Sequence, residues 1–293
     1  MAEKCISPDS AGMPDAARAL NAPDSTPEQD MTYNSLPPQS ATVTSLQAYS
    51  RVLGSIRGAQ SEPHPRWWHA SLRITADGLA TGDFPLGNSK ANLVLEPANR
   101  LVRGAGADGG FEVALNSPAS AVGREILDRL GAPIDVDPER WDAISSETYD
   151  TEEAANYHQA LLVARDTFAG YAATIEGEVG PINFWPHHFD MSFEWFSDAV
   201  EVYEEEDGPK EYNKQVGFGF SPGDEGDAQP YFYANPWPFD ESFRSIELPS
   251  GASWHGEGWS GGFLPYSAVV DGGEGLLINF MQAVFEGTRE ALS

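Results

Sequence analysis

The chain has 293 residues, with 45 acidic side chains against 17 basic ones and a formal net charge of −28, so its surface repels phosphate backbones and anionic lipids. Its one cysteine, Cys5, excludes an intramolecular disulfide and a multi-cysteine zinc site, and no apolar run approaches the ~20 residues of a membrane span. Neither a nucleic-acid nor a membrane partner is expected, and an acid excess with 4 Lys against 13 Arg fits a halophilic source, where a Debye length of ~3 Å at molar salt screens the repulsion.

Residues 1–41 are rich in Pro, Ser, Asp, Ala and Asn and read as a disordered tail, leaving 42–293 as a single domain. The opening lacks the basic start and apolar stretch of a secretory signal, which makes the cytoplasm the expected location. In "TVTSLQAYSRVLGSIRGAQ" the helical spacing of Leu46, Tyr49, Leu53 and Ile56 predicts a helix from about 43 to 58. From Trp67 the period changes: Leu72 and Ile74 alternate with Arg73 and Thr75, and Asp77-Gly78 supplies a turn between two strands. Three short apolar runs follow, divided by Pro97-Ala98-Asn99 and a Gly-rich turn, as in an antiparallel meander. Pro118 opens a helix carrying Val122, Ile126, Leu127 and Leu130, which Gly131 and Pro133 end.

After an irregular connection the longest helix begins at Thr151, a candidate N-cap with acids in its first turn. Short aromatic strands ("INFWPHHFDMSFEWF", "QVGFGFSPGD", "PYFYANPWP"), a Gly/Trp-rich loop and a closing helix complete the chain. Strands in clusters separated by helices predict an α+β fold, with a largely antiparallel sheet and several packed helices.

Read as one extended strand, residues 183–196 put Trp185, His187, Phe189, Met191, Phe193 and Trp195 on a core face and His188, Asp190, Ser192 and Glu194 on the other. His188 and Asp190, joined by a distant His255, would form the two-histidine, one-carboxylate arrangement that binds iron(II) or zinc. Against that reading, the two residues are simply a solvated or mutually bonded pair, and His187 is a core histidine satisfied by a carbonyl. Asp190, among so many aromatics, needs an arginine or several donors; Arg73 and Arg244 are candidates. Failing these, it serves as a catalytic acid or base. Tyr231, Tyr233, Trp237, Trp254 and Trp259 lie among Gly and Pro, where rings either cap the open end of the sheet or stack on a flat or sugar-like molecule. No Gly-x-Ser-x-Gly, phosphate loop or dinucleotide fingerprint is present, and no cofactor is expected.

The pieces "RWWHASLRITADGLAT", "GPINFWPHHFDMSFEWFS", "VGFGFSPGD", "YFYANPWP" and "GGFLPY", in this order from about Val43 to the C-terminus, resemble the bacterial and archaeal family catalogued as domain of unknown function 5996. The resemblance implies a shared fold and no particular reaction. Some members similar to this chain carry small residues where His187 and His188 stand and keep the Phe-Asp pair that follows. The resemblance therefore implies a ligand pocket built from Asp190, the triplet Trp67, Trp68 and His69, the Ser221-Pro222-Gly223 turn and Tyr233, with Trp237 nearby.

Overall fold

In the computed structural model the described residues are 32–38, 40–106, 109–143, 148–205, 208–223 and 228–293. They form five α-helices and two antiparallel sheets, which gives the expected α+β class with two sheets in place of one.

Helix α1 (Ala41–Gln60) follows from its stripe: Val43, Leu46, Tyr49, Leu53 and Ile56 recur every three or four residues, Val52 widens the same face, and all six are buried. Ser40 caps it, accepting from the Val43 N–H at 3.2 Å. The first sheet runs in the order β1 (Arg73–Ile74), β2 (Leu79–Ala80), β4 (Ser89–Glu96), β5 (Leu101–Gly106), β6 (Gly109–Ala114), with β3 (Phe84–Leu86) paired to β4. Helix α2 (Ala119–Leu130) buries Val122, Ile126 and Leu130 and ends at Gly131, whose φ of 69° suits only a residue without a Cβ penalty.

Helix α3 (Thr151–Ala172) has 22 residues, the longest among those described. Its cap is Asp150 rather than Thr151: the Asp150 carboxylate accepts from the backbone N–H groups of Glu152 at 2.9 Å and Glu153 at 3.0 Å. A carboxylate one residue earlier reaches both orphan donors, so Thr151 becomes the first helical residue. On the far side, Arg165 Nη1 donates to Ile74 O at 2.8 Å and His158 Nε2 lies 2.9 Å from Thr75 O, which ties α3 to the β1–β2 hairpin.

The second sheet has the order β12 (Ser253–His255), β13 (Gly261–Pro265), β11 (Tyr231–Trp237), β10 (Gly208–Ser221), β9 (Asp190–Glu205), β7 (Glu178–Val179), with β8 (Asn183–Trp185) also paired to β9. A bridge between Leu72 and Phe184 joins the two sheets. Helices α4 (Tyr266–Gly272) and α5 (Glu274–Leu292) follow the last strand. Period-two alternation sends Met191, Phe193 and Trp195 of β9, Val216, Phe218 and Phe220 of β10, and Phe232 and Ala234 of β11 to one buried face. Helices α3 and α5 cover that face: Phe168 meets Phe193 at 5.4 Å between ring centroids, Tyr171 meets Phe218 at 5.7 Å and Phe285 meets Trp195 at 5.2 Å. Each such ring stabilises the fold by roughly 1.5–3 kcal/mol through burial.

Part of the expected tail, residues 1–41, packs on the rest of the chain. Tyr33 is buried against Phe232 and Tyr266, its hydroxyl lies 2.8 Å from Thr167 Oγ1, and the Tyr266 hydroxyl donates to Asn34 O at 2.9 Å. Two anchors, Tyr33 and Leu36, suffice to dock a short segment whose average composition is polar. The rest of the expected tail, residues 1–31, lies outside the described residues.

Candidate functional site

Residues 183–196 are a hairpin, not one strand. Trp185 pairs with Asp190 and Phe184 with Met191, and Pro186 to Phe189 make the turn between them. Pro186 has no N–H to give a ladder, and Phe189, at a φ of 60°, turns the chain back with its N–H bonded to Trp185 O at 2.8 Å. The turn lifts His187 and His188 out to exposed positions, so His187 does not join the core face as expected. Phe189 stays buried between Phe184 at 5.0 Å and Tyr157 at 5.5 Å. Helix α1 holds the turn from below: Gln47 Nε2 at 2.9 Å and Arg51 Nη2 at 2.8 Å both donate to His187 O. Gly54 allows that approach, since a Cβ there would stand 2.7 Å from Pro186 Cγ.

From Asp190 onward the alternation holds, and Asp190, Ser192 and Glu194 share the sheet face opposite the helices. The register sets Gly219 between Ser192 and Tyr233, and Gly217 between Glu194 and Asn235. With no side chain on this face of β10, the Tyr233 ring lies flat across it; a Cβ on Gly219 would stand 2.0 Å from Tyr233 Cζ. Reaching over the central strand, the Tyr233 hydroxyl donates to Asp190 Oδ2 at 2.7 Å. Alongside, Trp185 Nε1–H donates to Ser192 Oγ at 2.8 Å, and Ser192 O–H donates to Glu194 Oε1 at 2.7 Å.

Above this floor is a cavity of about 570 Å³. Trp67, Trp185 and Tyr233 give it aromatic walls, Asp190 and Ser192 a polar base, and Arg66, Ala70, His187 and His188 its rim. Trp67 is the most exposed large apolar side chain described, at 68 %, and holds a left-handed backbone with φ of 59°. A large ring kept in water beside a cavity, on a backbone that resists relaxation, is a feature of binding sites rather than of cores.

Asp190 Oδ1 is shut off from solvent and has no hydrogen-bond partner among the described residues. Burial pushes the Asp190 carboxyl above its ordinary range, opposed by the Tyr233 hydroxyl, by His188 and by the residue's own backbone N–H. Burial pushes Glu194 up to about 7; the Ser192 hydroxyl opposes the rise, the Asp190 charge adds to it, and Arg66 opposes it. Tyr233 is pushed well up, by burial first and then by Asp190. His187 is held below its usual value by burial, by His188 and by Arg51. Arg66 is engaged outside the cavity: its guanidinium bonds Glu178 Oε1 and Asn213 Oδ1 and lies 3.5 Å over the Phe196 ring centre.

Of the residues singled out by sequence, the structure brings Trp67, His188, Asp190 and Tyr233 together. Trp68 and His69 stand behind this wall, Trp68 stacked on His64 at 4.4 Å and His69 accepting from the His64 N–H at 3.1 Å. Trp237 lies further along β11, stacked on Tyr203 at 5.8 Å, and does not line the cavity. His255, on β12, is four strands from β9, roughly 19 Å at the usual ~4.8 Å spacing. It stacks on Trp259 at 4.4 Å, so His188, Asp190 and His255 are not gathered as ligands. Among the described residues, no group of three or more His, Cys, Asp or Glu side chains could hold a metal ion. Neither Arg73 nor Arg244 partners Asp190; Tyr233 does, and Arg244 instead donates to Glu241 and to His255 O. Ser221 is used locally, accepting from the Gly223 N–H at 3.2 Å. Sequence reasoning put Ser192 and Glu194 on the right face without giving them a role, placed Trp185 on the core face where the hairpin turns it to the cavity, and gave Arg66 no role. The signal for Trp185 was Pro186 beside two histidines, a turn that would set Trp185 opposite Asp190.

Fold and site together define an α+β protein whose seven-stranded sheet carries helices on one face and an aromatic, carboxyl-bearing cavity on the other. The chain belongs to the Family of unknown function (DUF5996), whose model matches residues 33–292 and so includes the docked segment at Tyr33. No curated protein and no solved structure matches it. Among the described residues, no helix is long and apolar enough to cross a membrane.

Proposed function

We propose that the chain binds a small, ring-containing molecule, flat or sugar-like, in the cavity between Trp67, Trp185 and Tyr233. The observation that carries this reading is Asp190: a carboxyl oxygen shut off from solvent and unpartnered among the described residues, in the wall of a cavity large enough for a small ligand, supported from behind by Tyr233. An orphaned buried acceptor is costly unless a ligand completes it. The rings supply faces for stacking. Ligand-observed NMR with a library of aromatic fragments and monosaccharides tests the reading. Binders should compete with one another, quench tryptophan fluorescence and weaken in Trp185→Ala. A library without binders at millimolar concentration, or binders indifferent to Trp185→Ala, would reject it.

A second reading has its own observation. Asp190 is held toward its protonated form, and Glu194 titrates near neutrality, the range in which a carboxyl both takes and gives a proton. In that reading the protein is an enzyme and Asp190 its acid or base. A bound molecule recovered chemically changed by wild type but intact from Asp190→Asn would support it. The acid-rich surface fits a cytoplasm of high salt, where such a charge is screened.

A further inference from the structure

We infer that the ligand of this cavity carries a positively charged nitrogen, an ammonium or amidinium group, seated against Asp190 with its carbon skeleton between the rings of Trp67, Trp185 and Tyr233. The inference rests on the proposed ligand-binding role of the same cavity and names the chemistry of what enters it.

The hydrogen bonds give the first reason. Tyr233 O–H is spent on Asp190 Oδ2, Ser192 O–H on Glu194 Oε1 and Trp185 N–H on Ser192 Oγ. Each of these donors is already committed, and Asp190 Oδ1 is left as an acceptor. A ligand N–H completes this oxygen, and a cationic one makes the strong, charge-assisted bond to a carboxylate. The balance of charge gives the second. Asp190 and Glu194 lie two pleats apart on one strand face, and no ion pair satisfies either of them among the described residues. Among the described residues Arg66 is the one Arg or Lys on the rim, and it is already shared among Glu178, Asn213 and Phe196, which leaves only the exposed His187 and His188 beside the acids. A cation in the cavity neutralises the acids; an anion would face them with no guanidinium to spare. The walls give the third reason. Indole and phenol rings present a negative face, with tryptophan the strongest, so the surfaces that stack a flat skeleton also favour its positive charge.

The test uses three probes of nearly one shape: benzamidinium, benzamide and benzoate, titrated calorimetrically into the full chain at neutral pH. Molar KCl screens the diffuse acidic surface, leaving the local preference. Benzamidinium should bind about tenfold or more tighter than benzamide, with benzoate weakest. Asp190→Asn, checked by its melting curve, should bring benzamidinium down to the level of benzamide. The ranking in wild type decides the matter even where that variant fails to fold. Equal binding of benzamide and benzamidinium, or tighter binding of benzoate, overturns the cationic nitrogen and leaves the ligand-binding reading in place. Absence of benzamidinium binding at millimolar concentration also overturns it, while the wider reading then stands or falls on the fragment library.

Discussion

Replacing Glu194 with glutamine should make the protein more stable above neutral pH and change little in acid. In the fold, burial pushes this carboxyl from its ordinary 4.5 to about 7. A tenfold change in proton affinity is worth about 1.4 kcal/mol, so the full displacement corresponds to roughly 3 kcal/mol. The side chain keeps a partial exposure at the sheet surface, where solvent screens some of this, and ~1–3 kcal/mol is the expected range. A carboxyl raised by folding stabilises the native state fully below its unfolded value, and that contribution is lost as pH climbs through the folded one. The window here therefore runs from 4.5 to about 7. Glu194→Gln removes the titration and retains an amide oxygen to accept the Ser192 hydroxyl. Guanidinium unfolding of both proteins at several pH values across this window measures the difference, in which the distant acids largely cancel and the coupling of Glu194 to Asp190 is included. The variant should gain on wild type by ~1–3 kcal/mol between the acid and alkaline ends. A difference flat across the window, or one running the other way, would show that the carboxyl is hydrated and the buried polar ladder misread.

Gly219→Ala should remove Tyr233 from Asp190, because the new methyl would start 2.0 Å from the phenol ring. Ligand binding should fall with a stability loss of ~1–3 kcal/mol, and a variant that binds fragments as wild type does would contradict the crossing geometry. Tyr33→Ala should cost ~3 kcal/mol or more in denaturant unfolding, since it empties an aromatic site and removes one of the two hydrogen bonds of the Thr167 hydroxyl; a loss under ~1 kcal/mol would mean that the segment does not dock in solution. The melting temperature should rise from dilute buffer to molar KCl as screening relieves a net charge of −28, and an unchanged midpoint would remove the halophilic reading.

The parts of the fold legible in sequence are those where one period runs without interruption. The stripe of α1, the glycine-capped end of α2 and the alternation of "QVGFGF" each state their buried face locally, and the structure keeps all three. The hairpin at residues 186–189 was only half legible for a physical reason: Pro186 marks an edge or a bulge as readily as a turn, and the reversal is made by Phe189 in a left-handed conformation no aromatic residue advertises. Asp190 was found because a carboxyl among aromatics violates burial rules on its face. Its partner was not, because Tyr233 reaches it from two strands away, across a position where the informative residue is a glycine. Arg66 escaped for the same reason: its ties to Glu178 and Asn213 span more than a hundred residues.

A site floored by backbone behaves differently from one floored by side chains. Rotamers let most pockets adjust their depth to the guest, whereas the spacing between β9, β10 and β11 is a fixed dimension of the sheet. With Gly219 beneath it, the Tyr233 ring rests on a peptide plane that cannot retract, so any molecule that enters the cavity meets a floor of fixed height.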